Sequence, residues 1–239
     1  MGYTLITGAT SDIGRHICHT LVEEGHTLLL SDLSEEALNE VESSLEGNHK
    51  ILPLNLSNVD ESRATLESYI IENGVEVTYA VFAAGIFAIK PLKLINYEFV
   101  KMNFDISVFS ILMLSQVLAS KKINGNNLKG IAMISSVSAV MGTKGYVIYS
   151  AVKASMLGIM KSLAAELSPN VRVNAVMPGA IRTRTTNFLY ESQHTLNPRY
   201  ILGDGQPSDV SNAIAFLLSE KARWITGQAI VVDGGFIIS

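Results

Sequence analysis

The sequence has few of the residues that cross-link a chain or hold metals. Its one cysteine, Cys18, excludes an intrachain disulfide and a cysteine-rich zinc site, and reads as a small buried apolar residue. Charge is also sparse. Charged residues make up 17%, with 18 Lys and Arg against 22 Asp and Glu, a formal net charge of −4. A weakly acidic chain lacks the bulk counter-charge for a phosphate backbone, so no nucleic-acid partner is expected. No run of 18 uncharged apolar residues of membrane type occurs, and the longest candidate, 131–142, is short and serine-rich. Apolar character begins without a charged leader and is broken by a turn at 8–14, which does not read as a signal peptide. The expectation is a cytoplasmic protein with no membrane association. No linker rich in Pro, Gly or Ser divides the chain, and no repeat is visible, so residues 1–239 are expected to form one domain.

What is present is a 48% hydrophobic composition, which excludes a disordered chain, laid out as short apolar runs between longer helical patterns. Strands are expected at 3–7, 26–31, 50–54, 78–83, 130–135, 171–176 and 228–232. Helices are expected at 14–24, 34–45, 60–72, 98–120, 150–167 and 208–219. Nearly continuous apolar strands are those of a sheet covered on both faces. Alternation with helices makes repeated βαβ units, hence an α/β doubly wound Rossmann fold with a mostly parallel, seven-stranded central sheet. Residues 180–207 have weak periodicity after a Pro-Gly turn and read as a mobile substrate loop.

The first strand runs into Thr7-Gly8-Ala9-Thr10-Ser11-Asp12-Ile13-Gly14 and then a helix. Strand, glycine turn and helix N-terminus is the setting of a dinucleotide pyrophosphate site, although glycines also end strands for purely structural reasons. Asp32 follows the second strand, 24 residues after Gly8. It can accept from ribose hydroxyls and would repel a 2′-phosphate, which favours NAD(H) and leaves NADP(H) possible. Capping the next helix is the alternative use of Asp32. Asn55-Leu56 and Ala83-Ala84-Gly85-Ile86 fall at later strand ends, where such sheets bind ligands.

Tyr149 and Lys153 are four apart at the start of an expected helix, so their side chains share a face. A nearby ammonium lowers a phenol's pKa, and a phenol so tuned can exchange a proton with a carbonyl or hydroxyl oxygen. Ser136 ends the fifth strand and can hold that oxygen. Asn103 is a polar residue in an apolar helix pattern, where a water chain to Lys153 would satisfy it. The plainer readings are a solvated lysine, a turn serine and a capping asparagine.

Together these motifs resemble the classical short-chain dehydrogenase/reductase family, in particular its 3-oxoacyl-acyl-carrier-protein-reductase-like branch. TGATSDIG (7–14), AAG (83–85), Asn103, ISS (134–136) with YSAVK (149–153), NAVMPGAIRT (174–183) and GQAIVVDGG (227–235) occur in the family's order, with its 13-residue gap from Ser136 to Tyr149. The resemblance implies catalysis by Asn103, Ser136, Tyr149 and Lys153. Tyr149 would be the general acid in reduction and the general base in oxidation. Lys153 would tune it and hold the nicotinamide ribose, Ser136 would orient the carbonyl, and Asn103 would support a water relay. Cofactor contacts would come from Gly8, Thr10, Ser11, Asp12, Ile13, Gly14, Asp32, Leu33, Asn55, Leu56, Ala84, Gly85, Tyr149, Lys153, Pro178, Gly179, Ile181 and Thr183. No metal is implied. Family members usually form homotetramers, with helices 98–120 and 150–167 at one interface and the C-terminal strand region at the other.

Two departures stand out. Asp12 replaces a family glycine beside the pyrophosphate, where capping of the helix would turn its charge away. Asn55 replaces an aspartate beside adenine. The expected function is NAD(P)-dependent interconversion of a secondary alcohol and a ketone. The alternatives are a 3-oxoacyl-carrier or acyl-CoA reductase using NADPH, and a non-catalytic dinucleotide-binding regulator. Lys129 and Arg172 are the basic candidates for an acidic carrier. However, Asn127 and Pro169-Asn170 stand roughly where that branch has arginines, so acyl carrier protein is not favoured as a partner. In the 180–207 loop, Phe188, Leu189, Tyr190, His194, Arg199 and Tyr200 could close over a substrate. Arg182, Arg184 and Arg199 could meet an anionic one, with solvation as their default.

Overall fold

In the computed structural model, which describes residues 2–87, 89–187 and 198–239, the apolar runs become seven strands: β1 (Tyr3–Thr7), β2 (Thr27–Ser31), β3 (Lys50–Ile51), β4 (Val77–Phe82), β5 (Gly130–Ile134), β6 (Arg172–Pro178) and β7 (Ala229–Val232). They form one sheet in the order β3-β2-β1-β4-β5-β6-β7, with every pairing parallel. The order reverses between β1 and β4, the switch point at which such sheets bind ligands beyond their carboxyl ends.

The helices are α1 (Asp12–Glu23), α2 (Glu35–Ser43), α3 (Val59–Asn73), α4 (Tyr97–Phe104), α5 (Ser110–Ala119), the short α6 (Lys121–Asn124), α7 (Val147–Glu166) and α8 (Pro207–Leu218). Successive strand residues point to opposite faces, and the core divides accordingly. Leu5, Leu29, Ala80 and Phe82 pack with Leu66, Ile111, Met156 and Met160 on one face. Ile6, Leu28, Leu30 and Val81 pack with Ile17, Leu21, Leu38, Val210 and Ile214 on the other. Cys18 lies in this second layer, where burial pushes its thiol up to about 12. It is an inert apolar residue, as expected.

Several boundaries differ from the sequence expectation, α7 starting three residues early at Val147 among them, and three of the differences have identifiable reasons. The third strand is two residues rather than 50–54, yet Leu52 and Leu54 still donate to the carbonyls of Leu30 and Asp32. Pro53 between them has no N–H to give. The expected helix 98–120 is interrupted by a π-helical turn at Asp105–Phe109, a widening often associated with function. Helix α1 starts at Asp12, two residues early, because Ser11 caps it by accepting from the Gly14 amide. The stretch Tyr97–Ala119 and helix α7 are long and apolar enough, by length and composition, to cross a bilayer. Both lie in the helical layers on the sheet, where Ile111, Leu114, Met156 and Met160 are core residues.

Candidate active site

A cavity of about 590 Å³ opens at the carboxyl ends of the central strands. One wall is the glycine turn. Gly8 has φ +74°, and a Cβ there would sit 2.7 Å from the Ala84 amide nitrogen; a Cβ on Gly14 would sit 2.0 Å from the Gly8 carbonyl oxygen. Only glycine lets this turn pack against both the β4 end and helix α1. The Ser11 hydroxyl takes the Gly14 amide, leaving the first-turn amides of Asp12 and Ile13, both lining the cavity, as donors for an anion. A tight turn that ends in helix N–H groups facing the cavity fits a dinucleotide pyrophosphate.

Asp32 is bound into this turn. Its Oδ2 accepts from the Thr10 amide at 3.1 Å and the Thr10 hydroxyl at 2.6 Å, and its Oδ1 accepts from the Leu33 amide at 2.8 Å. It does not cap helix α2; Ser34 does, accepting from Ala37. Asn55 accepts from the amide and hydroxyl of Ser57 and so closes its own turn. Asp32, Leu33, Asn55 and Leu56 stand at the ends of β2 and β3, beyond the cavity lining, with Leu33 largely exposed.

Ser136, Tyr149 and Lys153 converge on the opposite wall. Helix α7 begins at Val147, placing Tyr149 in its first turn and Lys153 one turn later. Lys153 is 6% exposed. Its Nζ donates to the Ile134 carbonyl at 2.7 Å, and burial brings its pKa down to about 8. The Ser135 hydroxyl donates to the Lys153 carbonyl at 2.8 Å and fixes the helix against β5. The Ser136 hydroxyl accepts from the Ser138 amide at 3.1 Å and lines the cavity together with Tyr149. The expected lowering of the Tyr149 pKa by Lys153 is not what this state has. Burial dominates and pushes the phenol up, the Ser136 hydroxyl draws it partly back, and Tyr146 adds to the rise.

Of the remaining expected residues, Ala83 and Gly85 line the cavity, with Ala84 against Gly8. Pro178, Gly179, Ile181 and Thr183 line it after β6. The Thr183 hydroxyl is paired with that of Thr186 at 2.9 Å. Asn103 is buried outside the lining, donating to the Phe99 carbonyl at 2.8 Å just before the π turn; it is not a helix cap.

Other expectations are corrected. Asp12 does not cap α1: its carboxylate accepts from the Arg184 backbone amide and Nε at 2.6 and 2.7 Å. Arg184 thus has an ion-pair partner while its side chain stays largely exposed. Arg182 pairs with Asp204 at 3.3 Å, and Arg199 lies over the Phe236 ring. Lys129 and Arg172 flank the amino ends of β5 and β6, opposite the cavity. Arg172 donates to the carbonyls of Leu217, Leu218 and Ser219 at the end of α8, a helix-terminus role. Within 180–207, Ile181 bridges to Gly205; Phe188, Leu189, Tyr190 and His194 lie outside the described residues.

Sequence reasoning named Tyr149 and Tyr200, and the structure puts both in the cavity lining, but it missed Phe87 and Phe236 beside them. Phe87 meets Tyr149 edge-on at 5.2 Å and Tyr146 at 5.7 Å, and Tyr146 meets Tyr149 at 5.8 Å. Tyr200 stacks on Phe236 at 4.5 Å, and its hydroxyl accepts from the Ala180 amide. Phe87 directly follows the AAGI segment and Phe236 directly follows the GQAIVVDGG segment, signals that were available.

A family model described as enoyl-(acyl carrier protein) reductase matches residues 8–237. The chain is 35% identical to a 3-oxoacyl-[acyl-carrier-protein] reductase of Rickettsia felis, over 98% of this chain and 96% of the relative. It is 30% identical to a cyclopentanol dehydrogenase of Comamonas testosteroni, over 97% and 95%. Its fold matches a solved 4-hydroxyisoleucine dehydrogenase complexed with NADH with a TM-score of 0.90 and 26% identity, over 100% of both chains.

Proposed function

This chain belongs to the short-chain dehydrogenase/reductase family, and on that premise we propose how its site works and on what. It is an NAD(P)-dependent oxidoreductase of an alcohol and ketone pair. We assign the chemistry to Tyr149, Lys153 and Ser136, on the observation that these three meet in the cavity that the glycine turn begins. The bound nicotinamide would supply or accept the hydride. Tyr149 donates its phenolic proton to the substrate oxygen in reduction and takes it back in oxidation. The Ser136 hydroxyl, in the same cavity as Tyr149, orients that oxygen. Lys153 places a positive charge beside the phenol and would hold a hydroxyl of the nicotinamide ribose. Asn103, buried beside the π turn, supports the proton path as a positioning residue.

NAD(H) is the favoured cofactor. Asp32 presents a carboxylate at the end of β2, where a 2′-phosphate would meet like charge, and the 4-hydroxyisoleucine dehydrogenase structure holds NADH. The substrate is an uncharged secondary alcohol or ketone. Among the described lining residues the charged side chains are Asp12 and Lys153, and the space near Tyr149 is walled by Phe87, Met141 and Tyr146. A carrier-bound 3-oxoacyl substrate is the second reading, because several relatives carry that name. Against it, Arg172 is engaged with α8, and Lys129 lies at the other end of the sheet. Residues 1–239 act as one domain, and a homotetramer is supported by apolar side chains left exposed on Tyr97, Met102, Phe109 and Val147 and, near the C-terminus, on Trp224 and Ile238.

Paired fluorescence titrations with NADH and NADPH, followed by NAD-linked oxidation of small secondary alcohols, test this reading. Tighter NADH binding and turnover of uncharged alcohols are expected. Equal or tighter NADPH binding, with turnover confined to 3-oxoacyl thioesters, would replace it with the second.

A further inference from the structure

Asp12 stands in the first turn of α1, where a bound pyrophosphate would meet its negative charge. Yet its carboxylate is turned to another element. Oδ2 accepts from the Arg184 backbone amide at 2.6 Å and Oδ1 from Arg184 Nε at 2.7 Å. The residues are 172 apart in sequence, so the contact joins the pyrophosphate turn to the segment that follows β6. That segment is itself braced. The Thr186 hydroxyl bonds the Ile181 carbonyl and the Thr183 hydroxyl, and Arg182 donates its amide to Gly205. Arg15, the other cation near the turn, is committed elsewhere, with Nε on the Thr10 carbonyl and Nη2 on Glu40. Arg184 is therefore the cation that faces Asp12. The contact uses one of its five guanidinium N–H donors.

We propose that Arg184 is a positioning residue for the dinucleotide, acting through Asp12: it neutralises the carboxylate beside the pyrophosphate subsite and ties the β6 segment across the cleft as a clasp. This rests on the dinucleotide reading of the glycine turn and goes beyond it. Two requirements follow. Removing Arg184 leaves an uncompensated anion next to the phosphates, and removing Asp12 as well takes that anion away. The two residues must then be coupled in cofactor affinity, with Arg184 loss costly in the presence of Asp12 and nearly without effect in its absence.

The test is a double-mutant cycle on NADH dissociation constants with full-length wild type, Asp12→Asn, Arg184→Gln and the double variant, at low and high ionic strength. Thermal melts of all four report folding. Arg184→Gln is expected to weaken NADH binding about tenfold at low salt, with a smaller loss at high salt as the repulsion is screened. The double variant is expected to return to within about threefold of wild type. A purely structural link would give the double variant the same loss as Arg184→Gln, or a larger one, and that result overturns the proposal. So does an Arg184→Gln protein that binds NADH like wild type. If wild type itself binds neither NADH nor NADPH, the dinucleotide reading falls and the clasp with it; if wild type binds and the cycle is additive, the clasp alone falls.

Discussion

Lys153 Nζ sits 5.8 Å from the centre of the Tyr149 ring while it donates to the Ile134 carbonyl. The ammonium is thus held beneath the phenol by a strand-end carbonyl, in a place where burial works against its charge. The fold keeps a cation where stability alone would not.

A trade-off follows. Burial moves the Lys153 pKa from the ordinary 10.5 to about 8, a penalty on the order of 3 kcal/mol on the charged form. Below pH 8 the lysine is protonated in both folded and unfolded chains, and the penalty is fully present. As pH rises from 8 towards 10.5 the folded protein sheds the proton first, and the penalty is relieved. Lys153→Met should therefore lose activity by at least about a hundredfold. At pH 7 it should gain about 1–2 kcal/mol of stability, after loss of the hydrogen bond to Ile134. Urea unfolding at pH 7 and pH 10 checks this: the gain should shrink at the higher pH, and an equal gain at both would contradict it.

Gly8→Ala should be severe. The new Cβ would lie 2.7 Å from a backbone nitrogen at φ +74°, a cost of at least about 3 kcal/mol. Calorimetry should show a Tm drop of several degrees or failure to fold. A wild-type Tm would mean that the turn does not adopt this conformation.

Asp32→Ala removes the tether of Thr10 and the carboxylate proposed to discriminate against a 2′-phosphate. NADH affinity should fall about tenfold or more and the NADH-to-NADPH preference should narrow or reverse. An unchanged ratio in paired titrations would show that selectivity lies elsewhere.

The Tyr200–Phe236 stack forms the far wall of the cavity. Phe236→Ala should raise KM for an uncharged alcohol several-fold, since about 1–3 kcal/mol of apolar contact is lost, with kcat changed less. A loss confined to kcat would place the substrate away from this wall.

Sequence periodicity carried the sheet, because each βαβ unit writes its strand and helix locally. Spacing placed Tyr149 and Lys153 on one helix face and Ser136 at a strand end, and the resemblance to a family, not periodicity, singled them out as a catalytic set. Neither carried Phe87 against Tyr146 and Tyr149, Phe236 at the cavity rim, or Asp12 on Arg184, because those contacts join segments that only the folded sheet brings together. The direction of the Tyr149 shift was misread for a similar reason: spacing placed Lys153 nearby but could not show how deeply the phenol is buried.

The most direct test of the account is Tyr149→Phe, measured twice on one preparation: for NADH affinity by fluorescence, and for NADH formation from an uncharged secondary alcohol that wild type oxidises. NADH binding within about threefold of wild type is expected, with a rate lower by about a thousandfold or more. Turnover within tenfold of wild type would remove Tyr149 as the proton-transferring group and contradict the mechanism.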